Sequence, residues 1–395
     1  MGRRGQRFCR GVFCVIGVVG LVAGAVLLPV DASAAPSTWS ITSTTNRGSY
    51  GSVLLGLSCA DATNCQAVGW SFNSSGYQQT LVESWNGSAW SVVASPNKGR
   101  VSNSLQSVSC SSPSSCVAVG YRESRKGDST LIESWDGTTW SIIHSPNQGT
   151  TEDQEDILNG VSCASTTSCV AVGDYYTGTT GLWQTLVESW NGTAWSIIPS
   201  PNLGTNDNHL RGVSCVSSTS CMAVGTYYAS GEDQTLAESW DGASWSAVPT
   251  IDPSSFGNAL GGVDCTSADI CTAVGGSATG SESQTLVESW DGTNWSVVSS
   301  PNQAGGSGLS DVSCDSSSSC VAVGGNGTGK LSTTLIESWD GTTWSITPSP
   351  NPAGKDIGLS RVSCPTSTDC LAIGTAWMHK TFQTLAESGS TPLEG

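Results

Sequence analysis

The sequence predicts an all-β fold: a seven-bladed β-propeller of four-stranded blades, closed by an N-terminal strand that completes the last blade. Three observations carry this. A Cys-x5-Cys pair recurs seven times at steps of 49–53 residues. Each repeating unit divides into four short strands. The strand missing from the seventh unit stands at the opposite end of the chain.

The pairs are Cys59 and Cys65, Cys110 and Cys116, Cys163 and Cys169, Cys215 and Cys221, Cys265 and Cys271, Cys314 and Cys320, and Cys364 and Cys370. Each unit reads approximately L-x-x-V-S-C-x5-C-x-A-V-G, a variable stretch, T-L-x-E-S-W-[DN]-G-x-x-W-S, and usually S-P-N. Strand A is L-x-x-V-S, strand B the x-A-V after the second cysteine, strand C T-L-x-E-S-W, and strand D the W-S with its apolar followers, as in Trp140-Ser141-Ile142-Ile143. Asn-Gly or Asp-Gly between C and D, as at Asn86-Gly87 and Asp136-Gly137, predicts a two-residue type I′ hairpin.

Closure is legible at the two ends. The seventh unit stops after Thr384-Leu385-Ala386-Glu387-Ser388, with no tryptophan pair, while Thr38-Trp39-Ser40-Ile41-Thr42 matches a D strand with no C strand before it. In a ring that stray strand completes the last blade and removes two raw edges. An open solenoid would want polar caps instead. The propeller is therefore expected over residues 37–388, with a short tail at 389–395.

Residues 1–10 are basic, residues 11–30 are apolar and uncharged, and Ala32-Ser33-Ala34 fits a small-x-small cleavage site, so residues 1–34 read as a signal peptide. The alternative is an uncleaved signal anchor that tethers the chain outside the cytoplasmic membrane. No other membrane insertion is expected. The expected location is secreted or extracellular.

Composition excludes several functions. The chain carries 15 Lys+Arg against 32 Asp+Glu. Removal of the leader takes away Arg3, Arg4, Arg7, Arg10 and Asp31, leaving 11 basic and 31 acidic residues, a net of −20. Such a surface repels nucleic acid and anionic membranes. Only His144, His209 and His379 are available, which argues against a multi-histidine metal centre. No cofactor is expected, and a monomer is.

Val274-Gly275-Gly276 and Val323-Gly324-Gly325, followed by E-S-W-D-G-T-T-W-S, resemble the double glycine, third strand and fourth-strand tryptophan of kelch repeats, as in the central domain of galactose oxidase. The other units have one glycine there, followed by Trp70, Tyr121, Asp174, Thr226 or Thr375, and kelch repeats usually lack the cysteine pair. The resemblance implies the fold, with strand A innermost and D outermost, but no activity. A galactose-oxidase-like copper centre would need a Tyr–Cys pair, and every cysteine after the leader belongs to the repeat.

Fourteen cysteines at one spacing in an exported chain read as seven intra-blade disulfides, each closing a loop worth roughly 2 kcal/mol. The glutamate of strand C recurs as Glu83, Glu133, Glu188, Glu238, Glu288, Glu337 and Glu387. Catalysis needs one asymmetric constellation, so seven equivalent acids read as a blade-to-blade hydrogen-bonding clamp. In a two-residue hairpin Glu83 would oppose Trp90 and accept its indole N–H or a neighbouring backbone donor. The tryptophan pairs, such as Trp135 and Trp140, read as blade packing rather than sugar platforms.

Function is expected where the copies differ. Alternating strand direction puts the A–B and C–D turns on one face and the longer, variable B–C and D–A loops on the other. Aromatic residues in the B–C loops form an arc through units 7, 1, 2, 3 and 4: Trp377, Trp70, Tyr77, Tyr121, Tyr175, Tyr176, Trp183, Tyr227 and Tyr228. Phe72, Phe382 and His379 lie beside them. Acids on the same face are Glu152, Asp153, Glu155 and Asp156, in the long D–A loop of unit 3, and Asp174, Glu232 and Asp233 in the B–C loops. Aromatics beside acids suit a glycan or an extracellular protein ligand; the competing reading is that they extend strand B and pack between blades. The acids also admit a glycosidase or lyase, which needs two carboxylates roughly 5–9 Å apart. A purely structural envelope protein is the third reading.

Overall fold

The structure is a computed structural model that describes residues 38–47, 50–124, 127–148, 155–327 and 332–390. The proposed leader, Cys9, Cys14, Glu152, Asp153 and the tail beyond Ser390 lie outside the described residues. Seven antiparallel four-stranded sheets form the blades. In blade 1 the strands run Ser52–Asp61 (A), Asn64–Phe72 (B), Gln78–Trp85 (C) and Trp90–Val93 (D), and blades 2 to 6 follow the same order. Blade 7 takes its D strand, Thr38–Thr42, from the N-terminus, paired with strand C Thr381–Ser390 in the register Trp39↔Gly389 and Ile41↔Glu387.

The apolar residues make one core per seam between blades, not one per blade. Val68 and Val82 of blade 1 pack with Leu105, Ala118, Leu131 and Trp140 of blade 2. The ring closes by the same rule, with Leu371, Ile373 and Ala386 of blade 7 against Leu54, Leu81 and Trp90 of blade 1.

Two rings of polar contacts explain repeat residues that carry no apolar burial. The serine of V-S-C accepts a hydrogen bond from the backbone N–H of the next blade's first cysteine. Cys110 N–H donates to Ser58 Oγ at 3.0 Å, Cys163 to Ser109, Cys215 to Ser162 and Cys265 to Ser214. Asp264 replaces serine in blade 5 and accepts from Cys314 N–H at 2.8 Å; Ser313 and Ser363 complete the circle back to Cys59.

The second ring is the glutamate clamp. Each strand-C glutamate is fully buried and accepts from the link after strand D of the preceding blade. Where that link is Ser-Pro-Asn, the donor is the serine hydroxyl, as from Ser95 to Glu133, Ser145 to Glu188 and Ser300 to Glu337, at 2.5–3.0 Å. Proline has no N–H, so the hydroxyl must supply the proton. Where proline is absent the backbone N–H donates instead: Thr45 N–H to Glu83 at 3.2 Å and Ile251 N–H to Glu288 at 3.4 Å.

Two sequence expectations are corrected here. Strands C and D pair Trp85 with Trp90, so the loop has four residues, and Glu83 opposes Val92 rather than Trp90. Asn86 holds the loop by accepting the N–H groups of Ser88 and Ala89, while Gly87 takes φ +90°. This is an Asx turn, not type I′, because only the glycine has positive φ. Consequently the indole does not serve the glutamate: Trp90 donates to Thr42, and Trp135 to the carbonyl of Pro113 in its own disulfide loop. The paired indoles sit 5.5–5.8 Å apart, and the second of each pair is buried, as at Trp140 and Trp195.

All fourteen cysteines of the repeats pair within their own blades, as their spacing predicts. The seven disulfides are Cys59–Cys65, Cys110–Cys116, Cys163–Cys169, Cys215–Cys221, Cys265–Cys271, Cys314–Cys320 and Cys364–Cys370. In each bridge the second cysteine is the more buried partner. Cys65, Cys116, Cys169, Cys221, Cys271, Cys320 and Cys370 all sit in the seam cores, whereas Cys59 and Cys110 are only partly buried beside them. Strands A and B place the two cysteines directly opposite each other, as at Cys110↔Cys116 and Cys265↔Cys271, which is why one spacing serves every blade. That number of bridges suits an oxidising compartment.

The glycine ending A-V-G is a steric necessity. Strand A bulges after its leucine, at Leu158/Gly160 in blade 3, which drives the preceding carbonyl towards strand B. A Cβ on Gly173 would lie 1.9 Å from Ile157 O, and on Gly225 1.9 Å from His209 O. The second glycine of the kelch-like pair is under no such pressure, since a Cβ on Gly276 meets nothing nearer than 3.7 Å. Gly225→Ala should therefore cost at least about 3 kcal/mol in urea unfolding, and Gly276→Ala less than about 1 kcal/mol. Equal costs would refute this reading of the bulge.

Candidate binding face

The B–C connections and D–A links gather at the end of the ring opposite the disulfides. Here the two-residue type I′ turns do occur, but in the variable connections. Ser230-Gly231 of blade 4 has φ of 58° and 97°, and His379-Lys380 of blade 7 has 52° and 71°.

The aromatic candidates are on this face, though eight of the nine lie on strands rather than in loops; Tyr77 alone precedes its strand C. Strand B runs longer than the repeat pattern implies because its partners on both sides continue the ladder, as in Tyr176↔Trp183 and Tyr228↔Asp233. Tyr175 and Tyr227 pack against the cores of the 2/3 and 3/4 seams, so the packing reading holds for them. Trp70 stacks edge-on with Phe72 at 5.0 Å, and Trp377 with Phe382 at 4.8 Å. Tyr121 is half-buried. Tyr77 and Tyr228 are exposed, at 42% and 41%.

Blades 3 and 4 carry the most connected cluster. Trp183 lies between Tyr176, with centroids 5.5 Å apart, and His209, at 5.8 Å. His209 Nδ1 is 3.3 Å from Asp174 Oδ2, and Asp174 Oδ1 accepts from Asn159 Nδ2 at 2.7 Å. Asn159 also donates to Leu210 O in the next blade. The carboxylate thus orients an imidazole and a carboxamide beside an aromatic wall.

Between blades 2 and 3 the charge is negative. Asp128 stands opposite Glu123. Burial, then the nearby charges of Glu155 and Glu123, push Asp128 up to about 6. Burial first, and Asp128 and Glu123 next, raise the Tyr121 phenol above its ordinary range. Asp156 is buried and accepts the Gln148 N–H at 3.0 Å; it caps the loop, a role that Asn103 and Asn208 fill in blades 2 and 4. Among the described residues no group of three or more His, Cys, Asp or Glu is placed to hold a metal ion.

The arc of B–C aromatics omits Phe256, in the link between blades 4 and 5, which is 57% exposed. The available signal was the link itself, where Thr250-Ile251-Asp252 replaces Ser-Pro-Asn.

No protein-family model matches the chain, and no curated protein does. Solved structures do. A structure described as YCF48 bound to D1 peptide superposes with a TM-score of 0.53 at 14% identity, covering 92% of this chain and all of that one. YCF48 from Cyanidioschyzon merolae gives 0.53 at 13% identity, covering 89% of this chain and 98% of that one. The WD40 β-propeller domain of Doa1 gives 0.53 at 12%, covering 89% and 97%. At these identities the likeness is one of fold.

Proposed function

We propose that the chain is an exported, monomeric, kelch-like propeller that binds a peptide segment of an extracellular protein on its variable face. The observation that carries this is the division of labour between faces. One end of the ring repeats the same disulfide loop and Asx turn, while the other concentrates Tyr121, Tyr176, Trp183 and Tyr228 beside Glu123, Asp128, Glu155 and Asp174. Aromatic anchors among carboxylates suit extended peptides bearing basic residues. That a structurally similar propeller is described as bound to a peptide supports the same use of the fold. The basic and apolar leader of residues 1–34 and the seven disulfides support export.

A glycan would use the same ring faces, and a glycosidase or lyase the same acids. The enzyme reading has less support, since Asp156 is spent on loop capping and Asp174 on His209 and Asn159.

Panning a displayed random-peptide library on the purified chain, beside a glycan array, separates these ligands. Enriched peptides should lose roughly 1–3 kcal/mol of affinity in each of Tyr176→Ala, Trp183→Ala and Tyr228→Ala, with stability little changed. Trp140→Ala should do the reverse, costing roughly 3–5 kcal/mol of stability. Glycan hits without peptide hits, or Tyr176, Trp183 and Tyr228 variants that unfold as readily as the Trp140 variant, would overturn the proposal.

A further inference from the structure

The seam between blades 4 and 5 differs from its neighbours on the variable face. Its link reads Thr250-Ile251-Asp252 instead of Ser-Pro-Asn. Thr250 turns its hydroxyl back to Thr235 O at 2.8 Å, and Glu288 is left with the longer bond from Ile251 N–H. Asp252 keeps the role of the asparagine by accepting Thr235 N–H.

The packing of strand D is looser here too. In blades 1, 2, 3 and 6 the apolar residue two places after the strand-D tryptophan packs on the seam core, as do Val92, Ile142, Ile197 and Ile346, whereas Ile41 of blade 7 is 45% exposed. Its counterpart in blade 5, Val297, is 44% exposed. It lines a depression of about 450 Å³ with Leu286, Val298 and Phe256. On the other side of Phe256 a second depression of about 280 Å³ is lined by Ala259 and Ala278 and by the carboxyl-bearing Glu232 and Asp233. Among the described residues no lysine or arginine lines either one. Volumes of this order hold a side-chain anchor or a small ligand.

We infer that the two depressions form one groove across the blade 4/5 seam, and that its occupant is a segment of a partner protein in which a large apolar side chain adjoins Lys or Arg. The inference rests on the peptide-binding reading and names the anchor point and chemistry that reading leaves open. The apolar side chain enters between Phe256 and Val297, displacing water from the most exposed large hydrophobic surface of this seam. The basic group reaches Glu232 and Asp233, both exposed and free to meet it. Charge complementarity selects a cationic over an acidic segment.

Capped Gly-Lys-Trp-Arg-Gly, Gly-Glu-Trp-Glu-Gly and Gly-Lys-Gly-Arg-Gly, each fluorescently labelled, test this by anisotropy on the purified chain. The Lys-Trp-Arg peptide should bind at least about tenfold more tightly than either of the others. Its affinity should fall at least about tenfold in Phe256→Ala and about fivefold in the Glu232→Gln/Asp233→Asn double variant, and stay within about twofold in Val216→Ala, an exposed side chain in the blade 4 disulfide loop on the opposite face. Equal binding of the acidic peptide, no binding of any probe at about 1 mM, or indifference to Phe256→Ala overturns the groove. If displayed peptides lose affinity in Tyr176→Ala/Trp183→Ala but not in Phe256→Ala, the groove falls and the peptide-binding function stands.

Discussion

Glu133→Gln should stabilise the protein by roughly 2–4 kcal/mol at pH 8 and change little at pH 5. Burial raises this carboxyl to about 8, against an ordinary 4.5, and the Ser95 hydroxyl only partly offsets the loss of water. Glu188 is likewise raised to about 8, and Glu83, Glu238, Glu288, Glu337 and Glu387 to about 7, burial being the first cause in each. In six of the seven, Oε1 has no partner among the described residues, so little holds the charged form. Between about 4.5 and 7–8 the folded chain therefore binds more protons than the unfolded chain, and stability falls as pH rises. It is fully present below the unfolded value and is lost on the way up through the folded one.

Asp311, raised to about 6 by burial, adds to the same slope. The exposed turn acids Asp136 and Asp241 are shifted downward by the hydrogen bonds they accept. They act below the window and do not offset it. Each glutamate contributes at most about 1.4 kcal/mol per pH unit, but seven act together. Urea unfolding at pH 5, 6.5 and 8 should show the highest midpoint at pH 5. A maximum at neutral pH, or a Gln variant with the same effect at pH 5 and pH 8, would contradict the clamp as described.

Deleting residues 38–46 should cost roughly 5 kcal/mol or more and make the chain self-associate. The segment supplies the buried Trp39 to the 6/7 core, the ladder to Thr381–Ser390, the Thr45 N–H to Glu83, and the Asn46 side-chain carbonyl that accepts Thr384 N–H at 2.9 Å. Without it a ten-residue edge strand is bare, a template for pairing with another chain. A synthetic peptide spanning residues 37–47, added in trans, should restore the monomer by strand addition. A truncated chain that stays monomeric with an unchanged melting temperature would disprove closure by this strand.

The aromatic candidates show where local reading stops. Tyr176 and Trp183 are legible as variable-region residues, and they do lie on the variable face. Their pairing across strands B and C is hidden because nothing in the unit's pattern tells where a ladder ends and a turn begins. The C–D turn fails for a related reason. Asn-Gly favours type I′ locally, yet the opposed tryptophans and the Asx hydrogen bonds select a loop two residues longer.

What the sequence determined alone is what repetition makes countable. Seven cysteine pairs, seven glutamates and a D strand displaced to the N-terminus require a closed ring of seven units, because only closure gives the displaced strand a partner. Strand number and disulfide pairing follow from spacing within one unit. The tertiary structure decided every partner across a seam. Ser95 and Glu133 are 38 residues apart and Ser58 and Cys110 are 52 apart, so each contact joins two copies of a motif whose own pattern names no recipient. The same holds for the blade 4/5 groove. Three changed residues in a link are visible in the sequence, but that Phe256 of the link and Val297 of strand D line one depression follows only from the fold, which brings them together across blade 5 rather than along the chain.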